Sequence, residues 1–248
     1  MINFRTNSAD YPRYRLNSQQ RNTEQKTVKS KTGQIGVGKK AVLFDIDGVL
    51  LDSFDAGLRL FQDMLASMGY PKPTRREFRK VFHLPLVPVL KHFTKSELTE
   101  ELERIHELVE KIPYHSELLS EPEHAKETLM TLSKSYKLGI VTSRNKAGLS
   151  RRYFPFANTR KFFSAWVTVE DVTHHKPHPE PLLLAAKRLK LKPSECVYIG
   201  DSHTDIDAGK AAGMKTILYG GKKHADADAH VRSFEKLPEV VEKLASKK

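Results

Sequence analysis

The sequence of 248 residues has almost no cysteine and no long apolar run. Its single cysteine, Cys196, excludes an internal disulfide framework and favours a reducing compartment. No apolar stretch approaches the roughly 20 residues that a membrane-spanning helix needs, and the N-terminus lacks the apolar segment of a secretory signal. We therefore expect a cytoplasmic protein, a monomer or a homodimer, without a membrane partner.

Acidic residues are under-represented at the N-terminus. Residues 1–40 contain nine of the 42 Lys/Arg residues but only two of the 30 Asp/Glu residues. This polar stretch has little periodic hydrophobicity, so burial of apolar surface cannot offset the entropy lost on ordering. We predict a disordered basic tail over residues 1–39. A solvated tail without a dedicated partner is favoured over an arm that binds nucleic acid or a membrane surface, and a mitochondrial presequence is a further alternative.

From residue 41 onwards, short apolar runs alternate with segments of helical length. The first run, residues 41–44, is apolar throughout, as expected of a strand that is buried on both faces. Later runs cover residues 138–141, 165–169, 197–199 and 216–219, with helical segments at 181–189 and 204–212. This alternation predicts an α/β fold with a doubly wound parallel sheet, formed by residues 40–54 and 120–248. In such sheets functional residues gather at the carboxyl ends of the strands.

The segment 55–119 interrupts the alternation, because it contains helical patterns but no convincing strand. Five prolines divide it into short helices. Apolar residues recur at helical spacing in two series, Phe54-Leu58-Phe61-Leu65 and Leu98-Leu102-Ile105-Leu108. We predict a small inserted α-helical cap domain over residues 55–119, and we call this segment the cap.

Two carboxylates follow the first strand. In an extended segment Asp45 and Asp47 point to the same side, where they repel each other unless a cation joins them. Carboxylate oxygens without Cys or His nearby suit Mg²⁺, and Gly48 permits a tight turn. The alternatives are an ordinary Asp-x-Asp-Gly turn or a calcium loop, but a calcium loop needs further acidic positions that are absent here.

Two later segments offer groups for an anion. Thr142 and Ser143 follow the strand at 138–141 and can present hydroxyl and backbone N–H groups to phosphate oxygens, although a bland role for a strand threonine is as plausible. Lys176 precedes a helix and could neutralise a nucleophile and a phosphate together. Its neighbours His174, His175 and His178 suggest zinc, but their spacing matches no common zinc site, so a solvated loop is favoured.

The strand at 197–199 also ends in carboxylates. Asp201 follows Gly200 at the strand end, and Asp205 falls in the first turn of the next helix. Asp205 could simply favour the helix dipole. A charge at a buried strand end, in contrast, requires a partner, so Asp201 is the stronger candidate for a functional carboxylate.

Together these segments resemble the four motifs of the haloacid dehalogenase-like hydrolase superfamily, in type, order and spacing over residues 41 to about 221. The matching residues are Asp45-x-Asp47-Gly48-Val49 with Asp52-Ser53, then Thr142, then Lys176-Pro177-x-Pro179, and finally Gly200-Asp201-Ser202-x-x-Asp205. The resemblance implies that Asp45 is a nucleophile that forms an aspartyl phosphate and that Asp47 is its acid and base. It also implies that Mg²⁺ is held by Asp45, Asp201 and the backbone carbonyl of Asp47.

The same resemblance implies that Thr142 and Lys176 bind the phosphoryl group, beside the further candidate Ser143, and that Asp205 fixes Lys176 or a metal-bound water. Asp47 favours phosphate chemistry, because dehalogenating relatives lack a second Asp. The layout is similar to phosphoglycolate phosphatases with a helical cap, which predicts hydrolysis of a small phosphomonoester of the phosphoglycolate or sugar phosphate kind. A pyrophosphatase, a sugar phosphomutase and a nucleic-acid-binding protein with an inactive hydrolase fold are alternatives. Residues 83–86 fall where relatives carry a substrate-facing loop, unless they are cap core.

Overall fold

The computed structural model describes residues 40–95, 108–109, 111–221 and 223–246. The predicted tail, residues 1–39, and most of the second helical series of the cap lie outside these residues. The strands are β1 Ala41–Phe44, β2 Lys137–Val141, β3 Phe163–Val167, β4 Cys196–Gly200, β5 Lys215–Tyr219 and β6 Ala229–Val231. The helices are α1 Phe54–Ser67, α2 Arg75–Phe78, α3 Leu86–Thr94, α4 Ala125–Ser133, α5 Phe154–Ala157, α6 Glu180–Leu189, α7 His203–Ala211 and α8 Leu237–Ser246. None of these helices combines the length and the apolar character needed to cross a bilayer.

The six strands form one parallel sheet in the order β3-β2-β1-β4-β5-β6. All four residues of β1 are fully buried, and alternate side chains enter different clusters. Val42 and Phe44 pack in a cluster with residues of α4 and α8, whereas Ala41 and Leu43 pack with residues of α6 and α7. Helices therefore cover both faces, which confirms the predicted doubly wound α/β fold.

The strand predicted at residues 165–169 lies two residues earlier, at Phe163–Val167. Thr168 ends it, because its backbone N–H and its hydroxyl both donate to the Asp171 carboxylate and begin a 3₁₀ turn. The sequence patterns did not indicate β6 or α8. β6 has only three residues, and its hydrogen bonds to β5 place it at the sheet edge.

Between β1 and α4, the described cap residues form helices α1 to α3 around a separate hydrophobic cluster. Its buried members are Leu60, Phe61, Met64, Leu65, Phe78, Val81, Val89 and Leu90. The two chain segments that join the cap to the sheet meet where Asp52 and Ser120 exchange backbone hydrogen bonds of 2.9 and 3.2 Å. The domain boundaries at residues 54/55 and 119/120 remain a prediction.

Candidate active site

The predicted site residues lie at the carboxyl ends of the three central strands. Asp45 directly follows β1, Thr142 follows β2 and Asp201 follows β4. The Asp45 backbone N–H donates to the Ile199 carbonyl at 2.9 Å, so the ladder between β1 and β4 continues up to the carboxylate. The chain adds β2 and β3 on one side of β1 and β4 on the other. The direction in which strands are added therefore reverses between β1 and β4. A crevice opens at this point, which is the usual ligand position in such sheets.

Lys176 brings a positive charge next to Asp45 and Asp205. Its side chain is 5% exposed, and its Nζ lies 3.1 Å from Asp45 Oδ2 and 2.6 Å from Asp205 Oδ1. Burial works against the charged form, but the two carboxylates outweigh it and raise the pKa of Lys176. Lys176 therefore stays protonated beside Asp45.

Asp205 orients this lysine. One of its oxygens, Oδ1, accepts a hydrogen bond of 2.8 Å from the Tyr198 hydroxyl, while Oδ2 accepts from the hydroxyl and backbone N–H of Ser202 at 2.5 and 3.1 Å. Burial would raise the pKa of Asp205, but Lys176 and these donors hold it below its ordinary value. A carboxylate bound from so many sides is suited to positioning Lys176.

Asp201 is different, because no residue described by the structure hydrogen-bonds or ion-pairs with its carboxylate. It lies against the Cα of Gly48, where a side chain on residue 48 would collide with it, and Gly48 has a positive φ of 79°. Oxygens of Asp201, Asp45 and Asp205 all lie within 4.8 Å of one another. Burial, together with the neighbouring carboxylates, raises the pKa values of Asp45 and Asp201.

This donor set fits a hard divalent cation such as Mg²⁺. Asp45 and Asp201 are neighbouring carboxylates, and Asp201 has no partner among the described residues. The positive charge around them is too small to balance both negative charges. The backbone carbonyl of Asp47 accepts no backbone hydrogen bond among the described residues. Asp45 and Asp201 could therefore hold such an ion, with the Asp47 carbonyl as a further candidate ligand.

The Asp47 side chain does not belong to this group of carboxylates. Arg144 binds it at two points, with Nε 2.8 Å from Oδ2 and Nη2 2.6 Å from Oδ1, and the Ser53 hydroxyl also donates to Oδ1. Burial would raise the pKa of Asp47, but the Arg144 guanidinium and the Ser53 hydroxyl lower it overall. Arg144 also lies 3.4 Å from the Tyr114 hydroxyl, at the C-terminal end of the cap. In this conformation the Arg144 contacts favour the ionised form of Asp47.

Thr142 and Ser143 lie at different depths. Thr142 is 4% exposed, and its hydroxyl accepts from the Arg144 backbone N–H at 3.2 Å. Ser143 faces the cavity above the site. Sequence reasoning missed Arg144 and Tyr198. A basic residue two positions after Thr142 is a signal for the first, whereas Tyr198 cannot be distinguished from a core residue of an apolar strand.

A cavity of about 340 Å³ lies over Asp45, Asp47 and Asp201 and extends under the cap. All four residues of the segment 83–86 line it, while Leu84 and Leu86 also pack against the cap cluster. The two interpretations of this loop, substrate-facing and cap core, are therefore compatible. The His83 ring also contacts the His203 ring of α7, with 4.9 Å between centroids.

The histidines around Lys176 lie outside the cluster of aspartates. His174 and His178 are exposed, and their rings approach to 4.5 Å, with Glu180 as a neighbour of both. Glu180 also accepts backbone hydrogen bonds of 2.9 Å from Thr173 and His174. This carboxylate therefore holds the loop in front of α6. His175, in contrast, lines the cavity.

Buried carboxylates thus surround a lysine at the switch point of a parallel sheet, beneath the described helices of the cap. Comparison with known proteins defines the family. Residues 42–219 match the haloacid dehalogenase-like hydrolases, and the chain belongs to that family. It is a hydrolase, as the sequence motifs indicated.

Relatives within this family carry several activities in their names. Pyrophosphatase PpaX of Bacillus cereus is 36% identical over 181 residues, which are 71% of this chain and 80% of that protein. A predicted phosphoglycolate phosphatase from Haemophilus somnus has a TM-score of 0.70 at 20% identity, covering 84% of this chain and 99% of its own. Beta-phosphoglucomutase from Clostridium difficile has a TM-score of 0.71 at 22% identity, and the match covers 83% of this chain and 97% of the mutase chain. The two structural similarities establish the fold alone.

Proposed function

We propose that the protein is a Mg²⁺-dependent phosphatase that hydrolyses a small phosphomonoester through an aspartyl phosphate on Asp45. One observation carries the proposal: the buried Asp45 carboxylate lies 3.1 Å from Lys176 and beside Asp201, which has no partner among the described residues. A nucleophile, a fixed cation and carboxylate oxygens suited to a divalent cation thus lie together at the base of the cavity.

In the first step a carboxylate oxygen of Asp45 forms a bond to phosphorus, and the bond from phosphorus to the ester oxygen breaks. Asp47 gives its proton to the departing alkoxide. In the second step Asp47 takes a proton from water, whose oxygen attacks the phosphorus of the aspartyl phosphate and releases phosphate and free Asp45. Lys176, Thr142 and Ser143 bind the phosphoryl oxygens.

Asp45, Asp201 and the Asp47 carbonyl would hold Mg²⁺. The bound ion would supply positive charge to the phosphoryl oxygens during transfer. Asp205 keeps Lys176 in place through the 2.6 Å ion pair. Because Arg144 holds Asp47 ionised, Asp47 must leave this guanidinium before it can carry a proton to the leaving group.

We further propose that residues 40–54 and 120–248 form the catalytic core and that the cap, residues 55–119, closes the cavity. The segment 1–39 is proposed to be a tail outside the catalytic unit. A second candidate function is pyrophosphate hydrolysis, which the 36% identity to pyrophosphatase PpaX favours. The same groups would serve it, with a phosphate in place of the alkoxide as the leaving group.

Hydrolysis of small phosphate esters by wild-type protein and by Asp45→Asn tests the proposal. Asp207→Asn is the matched control, since Asp207 is a half-exposed carboxylate of α7. We expect Mg²⁺-dependent turnover that is abolished by a chelator and restored by Mg²⁺. Asp45→Asn should lower kcat by several orders of magnitude, whereas Asp207→Asn should not. Near wild-type turnover by Asp45→Asn would overturn the assignment.

A further inference from the structure

The cavity has a polar end and an apolar end. The polar end is formed by the carboxylates of the sheet edge together with Ser143, Arg144 and Asn145. The opposite end is formed by the cap, chiefly by Leu60, Phe61, Phe78, Phe82, Leu84 and Val87. A phosphoryl group placed against Asp45 therefore directs the rest of its molecule toward aliphatic and aromatic side chains.

Three of these side chains form a continuous aromatic wall. The Phe61 and Phe78 ring centroids are 5.2 Å apart, and those of Phe78 and Phe82 are 5.6 Å apart. Gly57 of α1 allows the wall to lie close to the helix, because a Cβ there would be 3.3 Å from the Phe82 ring. Phe78 is 1% exposed and so is fixed by packing. The wall is a built apolar surface.

The described part of the cap brings no permanently charged side chain to this end, and its titratable lining residues are His83 and Tyr114. No Lys, Arg, Asp or Glu occurs among the cavity-lining residues from the described part of the cap. The two arginines of the cavity belong to its other side and have partners. Arg144 binds Asp47 through two hydrogen bonds, and the Arg152 guanidinium lies 4.3 Å from the centroid of the Tyr114 ring.

These observations discriminate between leaving groups. Among the described cap residues, a carboxylate or a second phosphate would lose hydration without a Lys or Arg side chain to replace it. The hydroxyl groups of a sugar would likewise lose water, because few polar side chains are there to bind them. An uncharged apolar group would gain by leaving water for the Phe and Leu side chains.

We propose that the substrate is a phosphomonoester whose alcohol portion is uncharged and apolar, of the size of a single ring or a short branched chain. The volume of about 340 Å³ admits such a group together with the phosphoryl group. This inference rests on the proposed phosphatase function and narrows its substrate class. It disfavours phosphoglycolate, sugar phosphates and pyrophosphate as preferred substrates.

The test compares kcat/KM for cyclohexylmethyl phosphate and glucose 6-phosphate, two primary phosphate esters on six-membered rings that differ in the hydroxyl groups and the ring oxygen of the sugar. Phosphoglycolate and pyrophosphate are measured beside them. We expect cyclohexylmethyl phosphate to be preferred by at least about tenfold over each of the others, the scale at which apolar pockets discriminate. A preference for any hydrophilic or charged substrate would overturn the inference.

Leu84→Asn tests the contribution of the apolar end of the cavity, because it replaces a partly buried lining leucine with a polar side chain of similar size. Leu183→Asn is the control, since Leu183 is 41% exposed on α6 and does not line the cavity. Leu84→Asn should reduce kcat/KM for cyclohexylmethyl phosphate by about fivefold or more, with less than about a twofold change for glucose 6-phosphate. The melting temperature of each variant is measured to establish that it folds.

The outcomes separate the two proposals. Equal losses on both esters in a folded Leu84→Asn variant, or the same loss in Leu183→Asn, would contradict the apolar leaving group while leaving the phosphatase function in place. Absence of Mg²⁺-dependent turnover with every ester, or turnover that survives Asp45→Asn, would instead refute the phosphatase function.

Discussion

Replacing Arg144 by Gln removes the only guanidinium bound to Asp47 among the described residues. Removing one partner of a fully buried ion pair lowers the free energy of unfolding by about 3–5 kcal/mol, because the other charge is left uncompensated. Here the Asp47 side chain is 23% exposed and that of Arg144 is 13% exposed, so water can compensate part of the loss. We therefore expect Arg144→Gln to lower the free energy of unfolding at neutral pH by about 2 kcal/mol.

The deficit should depend on pH with a definite sign. Although burial works against it, the pair with Arg144 lowers the pKa of Asp47 in the folded state. Its contribution to stability is therefore fully present above the unfolded-state pKa of about 3.9, and it is lost as the pH falls through the lower folded-state value. The difference between wild type and Arg144→Gln should be largest near neutral pH and should shrink below about pH 4.

Urea unfolding of both proteins at several pH values measures this difference. Arg232→Gln is the control, because Arg232 is exposed and makes no ion pair within the described part of the chain. In an Asp47→Asn background the effect of Arg144→Gln should largely disappear, since the charge that Arg144 compensates is gone. A deficit that is independent of pH, or equally large in that background, would refute the assignment of Asp47 as the partner that matters.

Two further predictions concern catalysis and the N-terminal segment. Asp47→Asn should lose far more activity on an alkyl phosphate than on an aryl phosphate, because an aryl leaving group needs little protonation; equal losses measured on the two esters would contradict the acid role. Deletion of residues 1–36 should leave the rate on a small ester and the melting temperature close to those of the full chain, because β1 begins at Ala41. A deletion variant that fails to fold would show that the N-terminal segment is not separate from the catalytic unit.

The fold could be predicted because each of the strands β1 to β5 has its own local signature. Residues 41–44 are apolar at every position, and their complete burial between two layers of helices explains why. The same signature is absent from Ala229–Val231, where His230 is exposed and the strand exists only through its pairing with β5. Such a strand depends on tertiary structure more than on its own residues.

The site could be predicted only in part. Asp45, Thr142 and Asp201 follow apolar runs, and carboxyl ends of parallel strands meet at one edge, so their proximity follows from the sequence. The ion pair between Asp47 and Arg144 could not be predicted in this way. Arg144 is 97 residues away from Asp47, and an arginine in a loop is usually exposed. The role of Tyr198 could not be predicted either, since its ring packs in the core while its hydroxyl donates a hydrogen bond to Asp205.

The most direct measurement of the central claim is the identity of the residue that becomes phosphorylated during turnover. Wild-type protein is mixed with a phosphate ester and Mg²⁺, quenched in acid within a turnover, and digested for mass spectrometry. The account predicts one phosphoryl group, labile to hydroxylamine, on the peptide that contains Asp45, and none on that peptide in Asp45→Asn. A phosphoryl group on any other residue, or one that persists in Asp45→Asn, would contradict it.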